Sequence, residues 1–329
     1  MKKTIINTIV ALVATIFTTN ANAQQWKDHW TDYQWTNGYE MVSSVRLNDN
    51  QVLLVAHGLF DAGYGYLFEI KSLGDTNYDM KGIPESAVKS RPQNIDELVA
   101  HLLDENNCNG DDGQIWKRRD VGGHDILIRY GEDNSISTVY IPTGRDLREV
   151  ANESLQEIIV GSYTSTKGKK FQFNDDGTCI FDGTPNTYYM AEEGEYGAPS
   201  FHITLNRQIW ELEPTADGMK IYNTFFRNDV DGIQRGRLYA TLKSSKNTPR
   251  WAFSSDRPLI GSTLYEVDKD VLRLMRNEIY ARHGYRFSDK KLQAYFESCK
   301  WYKAIDDNKY VNLTALETIN VALIKAAEK

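Results

Sequence analysis

Between residues 155 and 245, apolar side chains alternate with turn residues so regularly that few folds are open to the segment. Phe171 and Phe173 alternate up to Asn174-Asp175-Asp176-Gly177, and Cys179 and Phe181 alternate away from it. Gly177 can take the positive φ that such a turn needs, so these four side chains are expected on one buried face. Trp210 and Leu212 lead to a turn at Asp217-Gly218, and Met219 and Ile221 return from it. The stretch to Phe226 reverses around Asp229 to Gly232, after which Leu238, Ala240 and Leu242 run back. Short strands at near-regular spacing predict a small antiparallel barrel or sandwich.

The segment before it, 24–150, mixes two periods. Val52 to Ala56 is an apolar run, and Tyr64, Tyr66, Phe68 and Ile70 alternate as one buried sheet face does. Asn94 can cap a helix whose stripe is Ile95, Leu98, Val99 and Leu102, with Asp96 and Glu97 at its positive end. Ile126, Ile128 and Tyr130 alternate again, followed by Val139 and Ile141. An α+β domain is expected here. Trp26, Trp30 and Tyr33 at helical spacing read as a terminal helix docked on that domain, and alternatively as a carbohydrate platform.

The first residues set the compartment. Lys2 and Lys3 precede an apolar run from Ile5 to Phe17, and Ala21 and Ala23 sit at −3 and −1 before Gln24. This is the order of a cleavable signal peptide, 1–23, so the mature chain is expected in the periplasm or outside the cell. The run is about thirteen residues, short of the roughly twenty that span a bilayer, and it does not recur, so no membrane span is expected. Net charge is −7 and no basic stripe tracks a phosphate backbone, so nucleic acid is not an expected partner.

The C-terminal part is helical. Ser254 to Ile260 reads as a Pro-containing linker. Beyond it, Leu272, Met275 and Ile279 form one stripe, with Asp268 or Asp270 as cap, and Glu278 and Arg282 are spaced for an i, i+4 ion pair. Gly284 stands where a left-handed C-cap favours glycine. Ser288 can start a second helix carrying Leu292, Tyr295 and Phe296; Thr314 with Glu317 makes a capping box for a third, lined by Leu316, Ile319 and Leu323. The three are expected to wrap around Trp301 and Tyr302. Leu272 to Ile279, then Tyr280-Ala281-Arg282-His283-Gly284-Tyr285, Phe287, Tyr295-Phe296, Trp301-Tyr302 and Leu313 to Asn320 follow one another as in the YARHG family. Residues 256–329 thus resemble a YARHG domain, which implies an extracytoplasmic bacterial module without an established biochemical role. The middle segment, opening Gly161-Ser162-Tyr163, is loosely similar to lipocalin-like folds. The fold class is therefore multidomain α+β: an α+β domain, an antiparallel β domain and a small helical domain.

No catalytic constellation emerges. His29, His57, His101, His124, His202 and His283 show neither HExxH nor paired metal spacing, and no GxSxG elbow is present. Cys108, Cys179 and Cys299 are too far apart for a zinc site or a CxxC pair and allow at most one internal disulfide. The acidic loops Asp104 to Gly113 and Asn228 to Gly232 fail the EF-hand pattern at its twelfth position. No cofactor or metal is implied. The motif residues Arg276, Asn277, Glu278, Tyr280, Ala281, Arg282, His283, Gly284, Tyr285, Trp301 and Tyr302 read first as structural. His283 is placed to donate to the last helical carbonyls, while Arg276 and Asn277 join a polar network that orients the helices. The leading functional reading is a non-enzymatic exported protein that binds an envelope, glycan or protein partner. The alternatives are a small-ligand carrier built on the middle segment and a hydrolase with its site before residue 150.

Overall fold

Eight antiparallel strands follow one another in chain order through the first part of the molecule and close on themselves. The computed structural model describes residues 34–48, 50–58, 64–74, 77–89, 115–191, 200–227 and 230–329. They fall into two compact units, Met1–Leu147 and Arg148–Lys329. The signal sequence, Trp26, Trp30, Tyr33, His29, His101, Cys108, the helix expected from Asn94 and the loop Asp104 to Gly113 lie outside the described residues, as does part of the loop Asn228 to Gly232.

The barrel strands are β1 (Gln34–Thr36), β2 (Glu40–Asn48), β3 (Gln51–Gly58), β4 (Tyr64–Gly74), β5 (Asn77–Gly82), β6 (Ile115–Val121), β7 (His124–Tyr130) and β8 (Ile136–Thr143). β1 pairs with both β2 and β8, which removes the open edges. Tyr66, Phe68 and Ile70 turn inward together, as their alternation predicts. They meet Trp35, Tyr78, Met80, Trp116 and Tyr140; Trp116 stacks on Tyr140 at 5.2 Å and contacts Phe68 at 5.5 Å. On β7 the expected face differs: Leu127 joins the interior cluster, while Ile126 and Ile128 are buried on the other face. A strand apolar on both faces carries no alternation to read. Arg118 is 1% exposed and holds Asp125 through Nε at 3.0 Å and Nη2 at 2.6 Å, its guanidinium lying 5.1 Å from the Trp35 ring. A buried guanidinium is tolerable only with such partners.

The second unit opens with helix α1 (Leu147–Ile159) and an antiparallel sheet of nine strands. These are β9 (Gly161–Ser165), β10 (Lys170–Phe173), β11 (Thr178–Phe181), β12 (Thr184–Thr187), β13 (Tyr189–Met190), β14 (His202–Leu205), β15 (Gln208–Thr215), β16 (Gly218–Arg227) and β17 (Val230–Ser244). Their order is β12-β11-β10-β9-β17-β16-β15-β14-β13. Gly177 has φ +77°, Phe173 pairs with Cys179, and Phe171, Phe173, Cys179 and Phe181 are all buried on one face. The Phe181 ring lies 5.0 Å from Trp210, although β11 and β15 are five places apart in the sheet. The sheet therefore curls over its own inner face like a barrel. That interior is filled by Phe171, Phe173, Phe181 and Trp210, which counts against a ligand carried inside it.

Leu238 departs from expectation. Ile221 pairs with Ala240 but Tyr222 with Leu238, so Tyr239 is the extra residue of a bulge. The bulge reverses the facing of what precedes it: Leu238 is exposed, and Tyr239 packs on Phe181 and Trp210 instead. Strand composition does not reveal such a shift.

Helices α2 (Phe253–Asp256), α3 (Lys269–Arg282), α4 (Lys290–Glu297) and α5 (Ala315–Ala327) complete the unit. Leu272, Met275 and Ile279 are buried along α3, which Asp268 caps, and the capping box of Thr314 with Glu317 opens α5. Asp289, not Ser288, caps α4, accepting from the Lys291 and Leu292 N–H groups. Phe296 is the fully buried ring of this region; Trp301 and Tyr302 flank it at 6.0 and 5.9 Å and stay half-buried. The stretch Ser254–Ile260 is not a linker: Ser254, Leu259 and Ile260 are buried, and Asn320 of α5 binds the Ser254 and Arg257 carbonyls and the Leu259 N–H.

Candidate functional site

The sequence-marked residues Glu278, Arg282 and His283 converge where α2, α3 and α5 meet. Glu278 is buried, and its oxygens accept from the Trp251 N–H at 2.7 Å and the Arg250 N–H at 3.0 Å. Arg282 reaches Glu278 at 3.1 Å, the Trp251 carbonyl at 3.2 Å, Ser254 Oγ at 2.8 Å and Ser255 Oγ at 2.6 Å. Burial pushes the Glu278 carboxyl up and the Arg282 guanidinium down, each against the pull of its partners.

His283 does not donate its ring to helical carbonyls. Its Nε2 lies 2.9 Å from both Glu317 oxygens. Ser255 Oγ donates to the same carboxylate, and the Thr314 N–H does so at 2.9 Å. Burial pushes the Glu317 carboxyl up, but the Ser255, Thr314 and His283 contacts outweigh it and hold it below the usual carboxylate range. A serine, a histidine and a glutamate thus meet, yet not in relay order. In a nucleophilic triad the histidine stands between the other two. Here both bind the carboxylate, and the Ser255 oxygen also accepts from Arg282.

The remaining motif residues make contacts outside that network. Arg276 grips Glu328 through Nε at 2.6 Å and Nη2 at 3.0 Å, and Asn277 donates to the Arg273 carbonyl at 2.7 Å. Ala281 is buried, Tyr280 and Tyr285 rings meet at 5.6 Å, and Tyr302 donates to the Tyr285 carbonyl at 2.8 Å. Gly284 (φ +78°) ends α3: its N–H bonds the Ala281 carbonyl, and the Tyr285 N–H bonds the Tyr280 carbonyl. That pair of bonds is a Schellman motif. A Cβ at Gly284 meets the Lys303 carbonyl oxygen at 2.7 Å. Gly284→Ala is therefore expected to lower unfolding free energy by about 2 kcal/mol; urea unfolding checks it, and an unchanged midpoint contradicts it.

This helical architecture and its motif coincide with one family model over residues 248–329. That region is a YARHG domain. The match begins upstream of α2, so Arg250, Trp251 and Ser254 belong to it. No curated protein and no solved structure matches the chain. The YARHG domain is also tied to the sheet and α1: Arg250 donates to the Thr215 and Gly218 carbonyls at 2.7 and 2.6 Å, and Trp251 Nε1 to the Ile158 carbonyl at 3.4 Å. Arg250, Trp251, Ser254, Ser255, Glu317 and Asn320 are members that the sequence did not place in this network. Asn320, a polar residue beside the apolar stripe of Leu316, Ile319 and Leu323, was the available signal.

Elsewhere, a cavity of about 940 Å³ lies on the barrel unit, lined by residues of β4, β5 and β6 with Tyr130. A smaller one of about 360 Å³ in the second unit is lined by Glu149, Glu153, Asp175, Asp176, Tyr188 and Tyr189. Among the described residues, no group of three or more His, Cys, Asp or Glu is placed to hold a metal ion. Cys179 and Cys299 are buried free thiols, and burial pushes both upward, Cys179 to about 11. Such thiols are poor nucleophiles. No described helix is long and apolar enough to cross a membrane.

Proposed function

We propose that this is an exported, non-enzymatic protein that binds an envelope, glycan or protein partner in the periplasm or outside the cell, after removal of residues 1–23. The YARHG motif serves architecture in this reading: it terminates α3 and holds the helices to one another. The observation that carries it is the committed state of the most reactive-looking groups. Ser255 and His283 both spend their contacts on Glu317, and Glu278 and Arg282 are buried against each other and the backbone. The Ser255 hydroxyl has no histidine beside it: it donates to a carboxylate that His283 and the Thr314 N–H already engage, and it accepts from Arg282.

The test is incubation of the mature chain, from Gln24, with glycan, peptide and ester substrates, followed by mass spectrometry. No product is expected. Product formation that His283→Ala or Ser255→Ala abolishes would show the reading to be wrong. The 940 Å³ cavity favours a second reading, a hydrolase with its site in the barrel unit, since clefts of that size house active sites. It predicts turnover lost in Glu69→Gln or Asp79→Asn with the YARHG domain untouched.

A further inference from the structure

The cavity of the barrel unit lies on an outer sheet face. Strand register sets Glu69 beside Lys81 and Ile115, and Lys71 beside Asp79 and Lys117, so these side chains share that face. Ile70, Met80 and Trp116 take the alternate positions and fill the interior. The charges on the outer face do not balance. Glu69 pairs with Lys89 at 3.7 Å, and Asp79 pairs with Arg119. Both carboxylates of the cleft are thereby occupied. Among the described residues Lys71 and Lys81 hold no ion pair, and the Lys117 ammonium rests 4.8 Å from the Tyr130 ring centroid. Three lysines, Lys71, Lys81 and Lys117, thus line the cleft beside two carboxylates, Glu69 and Asp79, that Lys89 and Arg119 already pair, on a chain of net charge −7. Lysines left without a counter-ion in a cleft raise the local concentration of anions.

We propose that this cleft binds an acidic oligosaccharide; the assignment rests on the non-enzymatic binding reading above and specifies its ligand class. Three lysines can each meet a carboxylate or sulfate group, and Asn50 and Asn134 at the rim offer amides to sugar hydroxyls. The volume of about 940 Å³ suits a short oligosaccharide. The floor is a sheet face whose strands are paired on both sides, so an extended acidic peptide finds no strand edge to join.

Calorimetry on the mature chain at low salt tests it. The probes are a polyuronate fragment, a sulfated oligosaccharide, a neutral gluco-oligosaccharide and oligoglutamate. At least one acidic oligosaccharide is expected to bind, with the polyuronate and sulfated arms separating carboxylate from sulfate. Affinity should fall at least tenfold in Lys71→Gln/Lys81→Gln/Lys117→Gln, whose fold is checked by circular dichroism, and should be unchanged in the charge-matched control Lys290→Gln/Lys291→Gln/Lys303→Gln. Four results overturn the proposal: no binding of either acidic sugar, equal binding by the cleft variant, an equal loss in the control, or oligoglutamate binding as tightly. Cleaved sugar in the same incubations would refute the non-enzymatic reading alone, leaving the lysine dependence to decide the cleft.

Discussion

Glu278→Ala lowers the unfolding free energy of the second unit by about 3–5 kcal/mol, because it strands a network rather than deleting one contact. The carboxylate is the acceptor for two backbone N–H groups, of Trp251 and Arg250, and the counter-ion of Arg282. Without it Arg282 keeps only neutral acceptors in a site where burial already disfavours its charge. The damage should reach the sheet, since Arg250 and Trp251 are also the residues that bind the Thr215, Gly218 and Ile158 carbonyls. Urea unfolding followed by tryptophan fluorescence reads it through buried Trp251. A loss under 1 kcal/mol means the carboxylate contributes little to the fold.

The second large effect depends on pH. Glu157 of α1 pairs with Arg257 at 2.7 Å, yet burial outweighs the pairing and lifts its carboxyl from 4.5 to about 7. The folded state then holds a proton that the unfolded chain has released. Stability from this group is full below pH 4.5 and falls as pH rises through 7. A shift of that size corresponds to at most about 3 kcal/mol lost above pH 7. Glu157→Gln, which keeps shape and removes the charge, is expected to recover most of it at pH 8.5 and to gain nothing at pH 4.5. Denaturation at the two pH values checks this; curves that stay parallel to the unsubstituted protein at both rule it out.

Local grammar was legible in the residues themselves. Gly177 and Gly284 marked positive-φ positions, Thr314 with Glu317 marked a helix start, and Leu272, Met275 and Ile279 marked a buried stripe, all within a few residues of chain. Features set by distant partners were not legible. His283 sits beside a helix end, where its own carbonyls were the nearest acceptors in sequence, but α5 brings Glu317 to it from thirty-four residues away. Trp251 carried no signal of its own, its partner Glu278 lying 27 residues further on, and Ser254 read as the start of a linker because its partners, Arg282 and Asn320, lie 28 and 66 residues further on. One inserted residue at Tyr239 moved Leu238 to the solvent face. Closure of the first unit into a barrel depends on β1, three residues long, pairing with β8 a hundred residues later. The lysine cleft is illegible in sequence for the same reason: Lys71, Lys81 and Lys117 are scattered along the chain and become neighbours only through strand register.

The central claim is that the YARHG motif is a folding device. A double-mutant cycle on Glu278→Gln and Arg282→Met, measured by equilibrium unfolding of the mature chain, addresses it most directly. Two residues that act through one buried network should show a coupling energy of about 1.5 kcal/mol or more. Additive single effects, each below about 0.5 kcal/mol, would contradict the claim and free these side chains for another role.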